Sequence, residues 1–240
     1  MEMRFKIFRY DPAVDSEPSY RTYTVSVQPQ ERILDCLNRI KWEQDGSLAF
    51  RMSCAHGVCG SDGMRINGVC ALACQKLVRD YADSTEITLE PLPFFRVLKD
   101  LMVDMEDFLA RVDAMRPYLV PDGPPPEKER LQSPEDHKKQ EDVIRCILCA
   151  CCTGACPVMQ ENPDYIGPAA LVWAYRFLYD SRDGRFGERL EKLNEPNNVW
   201  PCENYFECTR VCPKGIPITK SINTMKREIK KHLPAGGEGK

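Results

Sequence analysis

Cysteine spacing carries the chemistry of this 240-residue chain. The run Cys146-x2-Cys149-x2-Cys152-x3-Cys156-Pro157 is a complete iron–sulfur ligand run. The run Cys202-x2-Tyr205-x2-Cys208-x3-Cys212-Pro213 repeats the spacing with tyrosine at the second position. In paired runs of this kind the fourth cysteine of each ligates the other cluster. One cluster therefore takes Cys146, Cys149, Cys152 and Cys212, a full set for 4Fe–4S. The other takes Cys156, Cys202 and Cys208 only, and three thiolates around an empty corner point to 3Fe–4S. Tyr205 could serve as a packing aromatic, but it cannot supply the missing thiolate.

A third cluster site lies upstream. Cys54-x4-Cys59-x2-Asp62, with Cys74 downstream, follows the C-x4-C-x2-C…C spacing of 2Fe–2S sites with aspartate in the third slot. A carboxylate is a harder ligand than a thiolate, yet it binds iron. Glycines at 57, 60 and 63 let the backbone wrap closely and aim amides at sulfur. Cys70 is the rival fourth ligand, but it lies past the Asn67-Gly68 turn and outside the tight loop, so spacing favours Asp62. Zinc prefers pairs of C-x2-C knuckles or Cys/His mixtures, and the long cysteine runs exceed such a quartet. Cys36 and Cys151 fit no ligand spacing. Cys36 reads as a small apolar residue of a helix, and Cys151 as a sulfur beside the ligands rather than a nucleophile. His56 stands alone in its loop, whereas a Rieske centre needs two histidines. It reads as solvated, as do His137 and His232 in polar helical stretches.

The rest of the composition narrows the reading. A net charge of −3 leaves no nucleic-acid footprint. No apolar run approaches the ~18 residues of a membrane span. The opening Met-Glu-Met-Arg-Phe-Lys is charged and lacks a signal-peptide core, so thirteen cysteines are expected in a reducing compartment, as metal ligands. There is no G-x-G-x-x-G, no P-loop and no nucleophile–base set. Bond chemistry is then expected on another chain, and three clusters without a reactant site read as an electron conductor.

The elements that must hold these loops change period along the chain. Arg4 to Tyr10 and Tyr20 to Val27 alternate like a hairpin, and Glu86 to Glu90 like a strand. Ile33, Leu34, Leu37 and Ile40 suit a short helix, and Asn67-Gly68 a tight turn. Val97, Leu98, Leu101, Met102, Met105, Phe108, Leu109 and Val112 recur at helical spacing. Pro121 to Pro126 reads as a stiff connector and Ser133-Pro134 as a helix start. Ala169 to Asp180 and Pro217 to Lys231 read as helices, with Trp173, Tyr175, Phe177 and Tyr179 in the core, and Gly236 to Lys240 as a frayed tail. The expected class is α+β: a β-rich cluster domain over 1–105, a helix and proline-rich connector over 106–132, and a helical domain with two clusters over 133–240.

The chain resembles the iron–sulfur subunit of succinate dehydrogenase and fumarate reductase over nearly its full length. The resemblance rests on the three cluster sites in this order, on Ser53 to Gly63 and Cys146 to Cys152, on Asn162 to Pro168 and Asp180 to Asp183, and on Val211 to Gly215. It implies a β-grasp, plant-type ferredoxin domain followed by an all-helical bacterial-type ferredoxin domain. It implies a flavoprotein partner with covalent FAD, where succinate and fumarate interconvert, and membrane-anchor subunits that complete a quinone site. Electrons would pass from FAD through 2Fe–2S, 4Fe–4S and 3Fe–4S to quinone, and this chain would bind no dicarboxylate. Pro157, Trp200, Tyr205 and Lys226 are expected at the quinone site. The chain would sit peripherally on the cytoplasmic face of a prokaryotic inner membrane, or on the matrix face in mitochondria. Many ubiquinone-linked members carry tryptophan shortly after the Cys-Pro at 156–157; this chain reads Val158-Met-Gln-Glu-Asn162, which leans toward menaquinone or an altered pocket. The alternatives are fumarate reduction, a free ferredoxin-type carrier, or service to another flavoenzyme.

Overall fold

A computed structural model describes residues 1–233, so the expected tail from Gly236 to Lys240 lies outside the described residues. The chain divides into two compact units: Met1–Met105 with Ile147–Ala155, and Glu106–Cys146 with the chain from Cys156 onward.

The first unit is built on a five-stranded sheet. Strands β1 (Glu2–Arg9) and β2 (Ser19–Ser26) form the expected antiparallel hairpin. Alternation in β1 buries Met3, Phe5 and Ile7. Helix α1 (Ile33–Arg39) adds Ile33, Leu34 and Leu37 to the same core and ends in a wider turn over Ile40–Gln44. Strands β3 (Gly63–Ile66) and β4 (Val69–Leu72) meet at Asn67-Gly68, where both residues take positive φ (45° and 80°), as the tight turn requires. Strand β5 (Glu86–Glu90) pairs parallel to β1 and antiparallel to β3, giving the order β2-β1-β5-β3-β4.

Two expectations change here. Val97 to Val103 is a hairpin, β6 (Val97–Lys99) with β7 (Met102–Val103), and helix α2 begins only at Glu106 (Glu106–Asp113). Asp100 forces the turn. Its φ is 48°, it is 2% exposed, and its carboxylate accepts from Arg9 Nε (3.0 Å), Tyr10 N (3.0 Å) and Ala49 N (2.8 Å). The apolar period of 97–102 is thus a buried hairpin face. The second change is the segment Ile147–Ala155, which belongs to the first unit although its cysteine run reads as part of the helical domain. Backbone contact explains it. A side chain at Gly60 would start 2.7 Å from Ile147 O, and one at Gly63 would start 2.7 Å from Cys149 O. Only glycine permits that approach.

The second unit is helical: α3 (Pro134–Gln140), α5 (Pro157–Glu161), α6 (Pro168–Leu178), α7 (Phe186–Leu193), α8 (Glu207–Arg210) and α9 (Ile218–His232), with α4 (Cys151–Gly154) carried by the first unit. Ser133 caps α3 by accepting from Asp136 N (3.0 Å), with Pro134 in the first turn. The 121–126 stretch has neither helix nor strand, and Arg130 donates to the carbonyls of Asp122, Gly123 and Pro124. The Asp180 to Asp183 motif is structural. Asp183 pairs with the buried Arg189 (2.7 and 3.0 Å), which also donates to the carbonyls of Met115, Arg116 and Tyr118. Of the four expected core aromatics in and just after α6, only Phe177 is buried; Trp173, Tyr175 and Tyr179 are half-buried.

Replacing Asp100 by alanine removes one of the two carboxylates that pair with Arg9, leaving Asp45, and leaves two amides without acceptors. The expected cost is about 3 kcal/mol, read as a lower urea midpoint of unfolding.

Candidate cluster sites

The first site is a loop held from outside. Arg32, before α1, donates from Nη1 to Ala55 O (2.7 Å) and pairs with Asp35. Leu34 N donates to Ala73 O (3.0 Å), and Ala73 N to Asp62 O (3.2 Å). These bonds bring the Cys54 to Asp62 loop against the segment that carries Cys74. Ala55, Gly57 and Gly60 all take positive φ, which curls the loop and turns its amides inward. Cys54 Sγ accepts from His56 N and Cys59 N, each at 3.3 Å, the amide-to-sulfur bonding that a cluster ligand needs.

Asp62 is 3% exposed. Its Oδ2 accepts from Cys74 N at 2.5 Å, while its Oδ1 has no hydrogen-bond partner. An unsatisfied buried carboxylate oxygen is costly unless something else occupies it, and an iron ion would. Cys70 lies on β4, and its sulfur is 3.4 Å from where a side chain on Gly154 would start. It therefore faces the Ile147–Ala155 segment.

Electrostatics separate the thiols of this loop. The Ser61 hydroxyl, 3.2 Å from Cys59 Sγ, and nearby amides hold the exposed Cys59 thiol down at about 6. Burial and the Asp62 carboxylate push Cys74 up to about 12. In the same unit Cys149 and Cys152 are buried, and Cys149 shares a cavity of about 320 Å³ with Cys59 and Asp62.

The second unit holds the other site. Cys156, Cys202 and Cys208 line one small pocket together with Pro157, Tyr205 and Thr219. Cys156 and Cys208 are buried, and burial pushes the Cys156 thiol up to about 11 and the Cys208 thiol up as well. Thr219 escaped the sequence reading. Its hydroxyl lies 3.5 Å from Cys208 Sγ and 3.1 Å from Thr209 Oγ1, and only the fold brings α8 and α9 together. Tyr205 is 47% exposed and donates its hydroxyl to Glu203 (2.8 Å). Lys226 Nζ donates to Cys202 O (2.7 Å), so it props the ligand loop from α9. Trp200 bonds Asn194 through Nε1 and stands outside the pocket lining. Cys146 and Cys212, also on this unit, are half-buried. His56, His137 and His232 are exposed, and Cys36 is fully buried.

The two cysteine runs share one backbone. Leu148 and Ala150 have φ of 54° and 62° around Cys149; Asn204 and Phe206 have 62° and 63° around Tyr205. Each run then enters a four-residue helix, α4 or α8, with the same first bond: Gly154 N to Ala150 O and Arg210 N to Phe206 O, both 2.9 Å. Among the described residues no three His, Cys, Asp or Glu side chains converge tightly enough to hold a single metal ion. Cluster ligands need not do so, because they surround a polynuclear core and each iron takes only one or two of them.

Family models cover both cluster-bearing regions, and the second keeps Ile147–Ala155 with the rest of its cysteine run. Residues 4–110 match a 2Fe-2S iron-sulfur cluster binding domain, and residues 142–216 a 4Fe-4S dicluster domain. The succinate dehydrogenase iron-sulfur subunit of Coxiella burnetii is 41% identical over 237 residues, 98% of this chain and 100% of that one. That of Paracoccus denitrificans is 41% identical over 225 residues, 93% of this chain and 86% of its own length. The chain belongs to the succinate dehydrogenase iron–sulfur subunit family. It is accordingly part of an oxidoreductase complex and serves electron transfer through iron–sulfur domains. A solved chain of the Mycobacterium smegmatis Sdh1 complex in the apo form superposes with a TM-score of 0.84 at 26% identity, covering 98% of this chain and 99% of that one. The α+β architecture of a succinate dehydrogenase iron–sulfur subunit, mixed sheet first and helical cluster domain second, is therefore present here.

In the cluster-free chain, Cys59 should alkylate readily at pH 7 while Cys74 stays protected. With Cys59 at about 6, its thiolate fraction falls from about nine-tenths at pH 7 to about one-tenth at pH 5, so labelling should slow by roughly tenfold. Mass spectrometry of labelled peptides checks both.

Proposed function

We propose that this chain carries electrons between the FAD of a flavoprotein subunit and membrane quinone in a succinate:quinone oxidoreductase, with a 3Fe–4S cluster last in the series. The observation that carries the reading is Tyr205. It stands in the ligand slot of a backbone that keeps the left-handed residues of the complete run, yet offers no thiolate. Cys54, Cys59, Asp62 and Cys74 would hold 2Fe–2S. Cys146, Cys149, Cys152 and Cys212 would hold 4Fe–4S. Cys156, Cys202 and Cys208 would hold 3Fe–4S. When bound, these clusters supply one-electron carriers whose potentials follow cluster type, burial and hydrogen bonding.

The residues of this chain do the rest. Arg32 closes the first loop, the Cys54 amide bonds orient its sulfur, and the orphaned Asp62 Oδ1 favours a carboxylate ligand over Cys70. Thr219 and Lys226 hold the last loop in place. Pro157 and Tyr205 border the last cluster's pocket and are the quinone candidates that retain the strongest support; Trp200 and Lys226 would act from behind it. No helix among the described residues is long and apolar enough to cross a membrane, which fits peripheral attachment through membrane-anchor subunits. Val158-Met-Gln-Glu-Asn162 leans toward menaquinone or an altered pocket. The alternative is the reverse direction, fumarate reduction, through the same clusters.

Tyr205→Cys completes the second run. The oxidised-state 3Fe–4S EPR signal should disappear and a reduced-state 4Fe–4S signal take its place; an unchanged spectrum would refute the role of position 205. For the first site, Cys70→Ala should keep the reduced 2Fe–2S signal and Asp62→Ala should lose or alter it. Quinone extracted from the purified complex should include menaquinone, and ubiquinone alone would end that lean.

A further inference from the structure

One hydroxyl from outside the cysteine runs touches a prospective ligand sulfur. Thr219, in the first turn of α9, is fully buried, and its Oγ1 lies 3.5 Å from Cys208 Sγ. Thr209, on α8, holds it there. The Thr209 hydroxyl oxygen accepts from Thr219 N at 3.0 Å, one of the amides that a helix start leaves without a partner in its own helix. The two hydroxyl oxygens are 3.1 Å apart. A hydroxyl has one proton to give, and a ligand sulfur, as a thiolate, can only accept. With Cys208 as a ligand, Thr219 must give its proton to the sulfur and Thr209 its proton to Thr219. The donors then run from Thr209 through Thr219 to Cys208, with each proton used once. The complete cysteine run has threonine in the same slot, Thr153, yet its buried hydroxyl has no hydrogen-bond partner among the described residues. Cysteine spacing alone does not build this relay; the packing of α9 against α8 does.

We propose that the Thr219 hydroxyl donates a hydrogen bond to the Cys208 sulfur and raises the reduction potential of the 3Fe–4S cluster that Cys208 would help to hold. The inference rests on the ligand reading of Cys208. Reduction by one electron adds negative charge that spreads onto the ligand sulfurs. A donor aimed at one of those sulfurs stabilises the reduced form more than the oxidised one. Both Thr219 and Cys208 are buried, so water does not screen the bond. Thr219 is therefore a positioning residue. It acts through Cys208 to make the last carrier a readier electron acceptor, without touching any reactant.

The test is an EPR-monitored redox titration of the intact complex carrying Thr219→Val, Thr219→Ala or Thr219→Ser. Valine removes the donor while filling the space, alanine removes it and leaves a gap, and serine keeps the donor without the methyl group. The two non-donor variants should make 3Fe–4S reduction about tenfold less favourable, ~59 mV for one electron. Serine should keep the original potential, and the other two clusters should not move. A non-donor variant with the original potential would overturn the inference, as would serine falling with valine and alanine. So would loss of the oxidised-state 3Fe–4S signal from both non-donor variants, which would make Thr219 a residue of cluster assembly. Failure of the ligand reading shows differently, as absence of a 3Fe–4S signal from the unsubstituted complex.

Discussion

Left-handed backbone at a non-glycine residue costs about 1–2 kcal/mol, and two loops of this chain each accept it twice. Leu148 and Ala150 flank Cys149, and Asn204 and Phe206 flank Tyr205. Such strain persists only where the surroundings fix it. Here it lets each loop bend before entering a four-residue helix, which sets the spacing of the next cysteine, Cys152 or Cys208, from the last. The second loop keeps this shape although its central residue is tyrosine rather than cysteine. Its remaining cysteines stay in position, and Tyr205 leaves one corner of the site without a thiolate.

The first unit meets a related constraint by deletion of side chains. Gly60 and Gly63 bring the loop of Cys59 and Asp62 into backbone contact with Ile147 and Cys149. Two prospective ligand loops are thereby packed with no side chains between their backbones. The orphaned Oδ1 of Asp62 and the amides on Cys54 then place specific polar groups against sulfur or prospective iron. An electron carrier needs this combination, since short separations favour transfer and hydrogen bonds tune potential.

The two iron–sulfur domains were legible in the sequence because cysteine spacing follows the geometry of the metal group, independent of the fold. The β1–β2 hairpin, β5 and the Asn67-Gly68 turn were legible because alternation and turn chemistry act locally. The hairpin at 97–103 was not, because a buried Asp100 bonded to Arg9, Tyr10 and Ala49 overrides an apolar period that also fits a helix. Helix α7 went unread because its sequence, FGERLEKL, is short and mostly charged, and its anchor is the distant pairing of Arg189 with Asp183 and three carbonyls. The placement of Ile147–Ala155 depended on missing side chains at Gly60 and Gly63, which the sequence displays without saying what they face. Lys226 and Trp200 were read from the resemblance as quinone residues; the fold adds a bond from Lys226 to Cys202 O and one from Trp200 to Asn194, which no local pattern announces.

The central claim is a series of three unlike clusters ending in one that lacks an iron. An EPR-monitored redox titration of the purified, unsubstituted complex tests it most directly. The account predicts three separable signals, one reduced 2Fe–2S, one reduced 4Fe–4S, and one 3Fe–4S visible only in the oxidised state. Two reduced-state 4Fe–4S signals with no oxidised-state signal would contradict it.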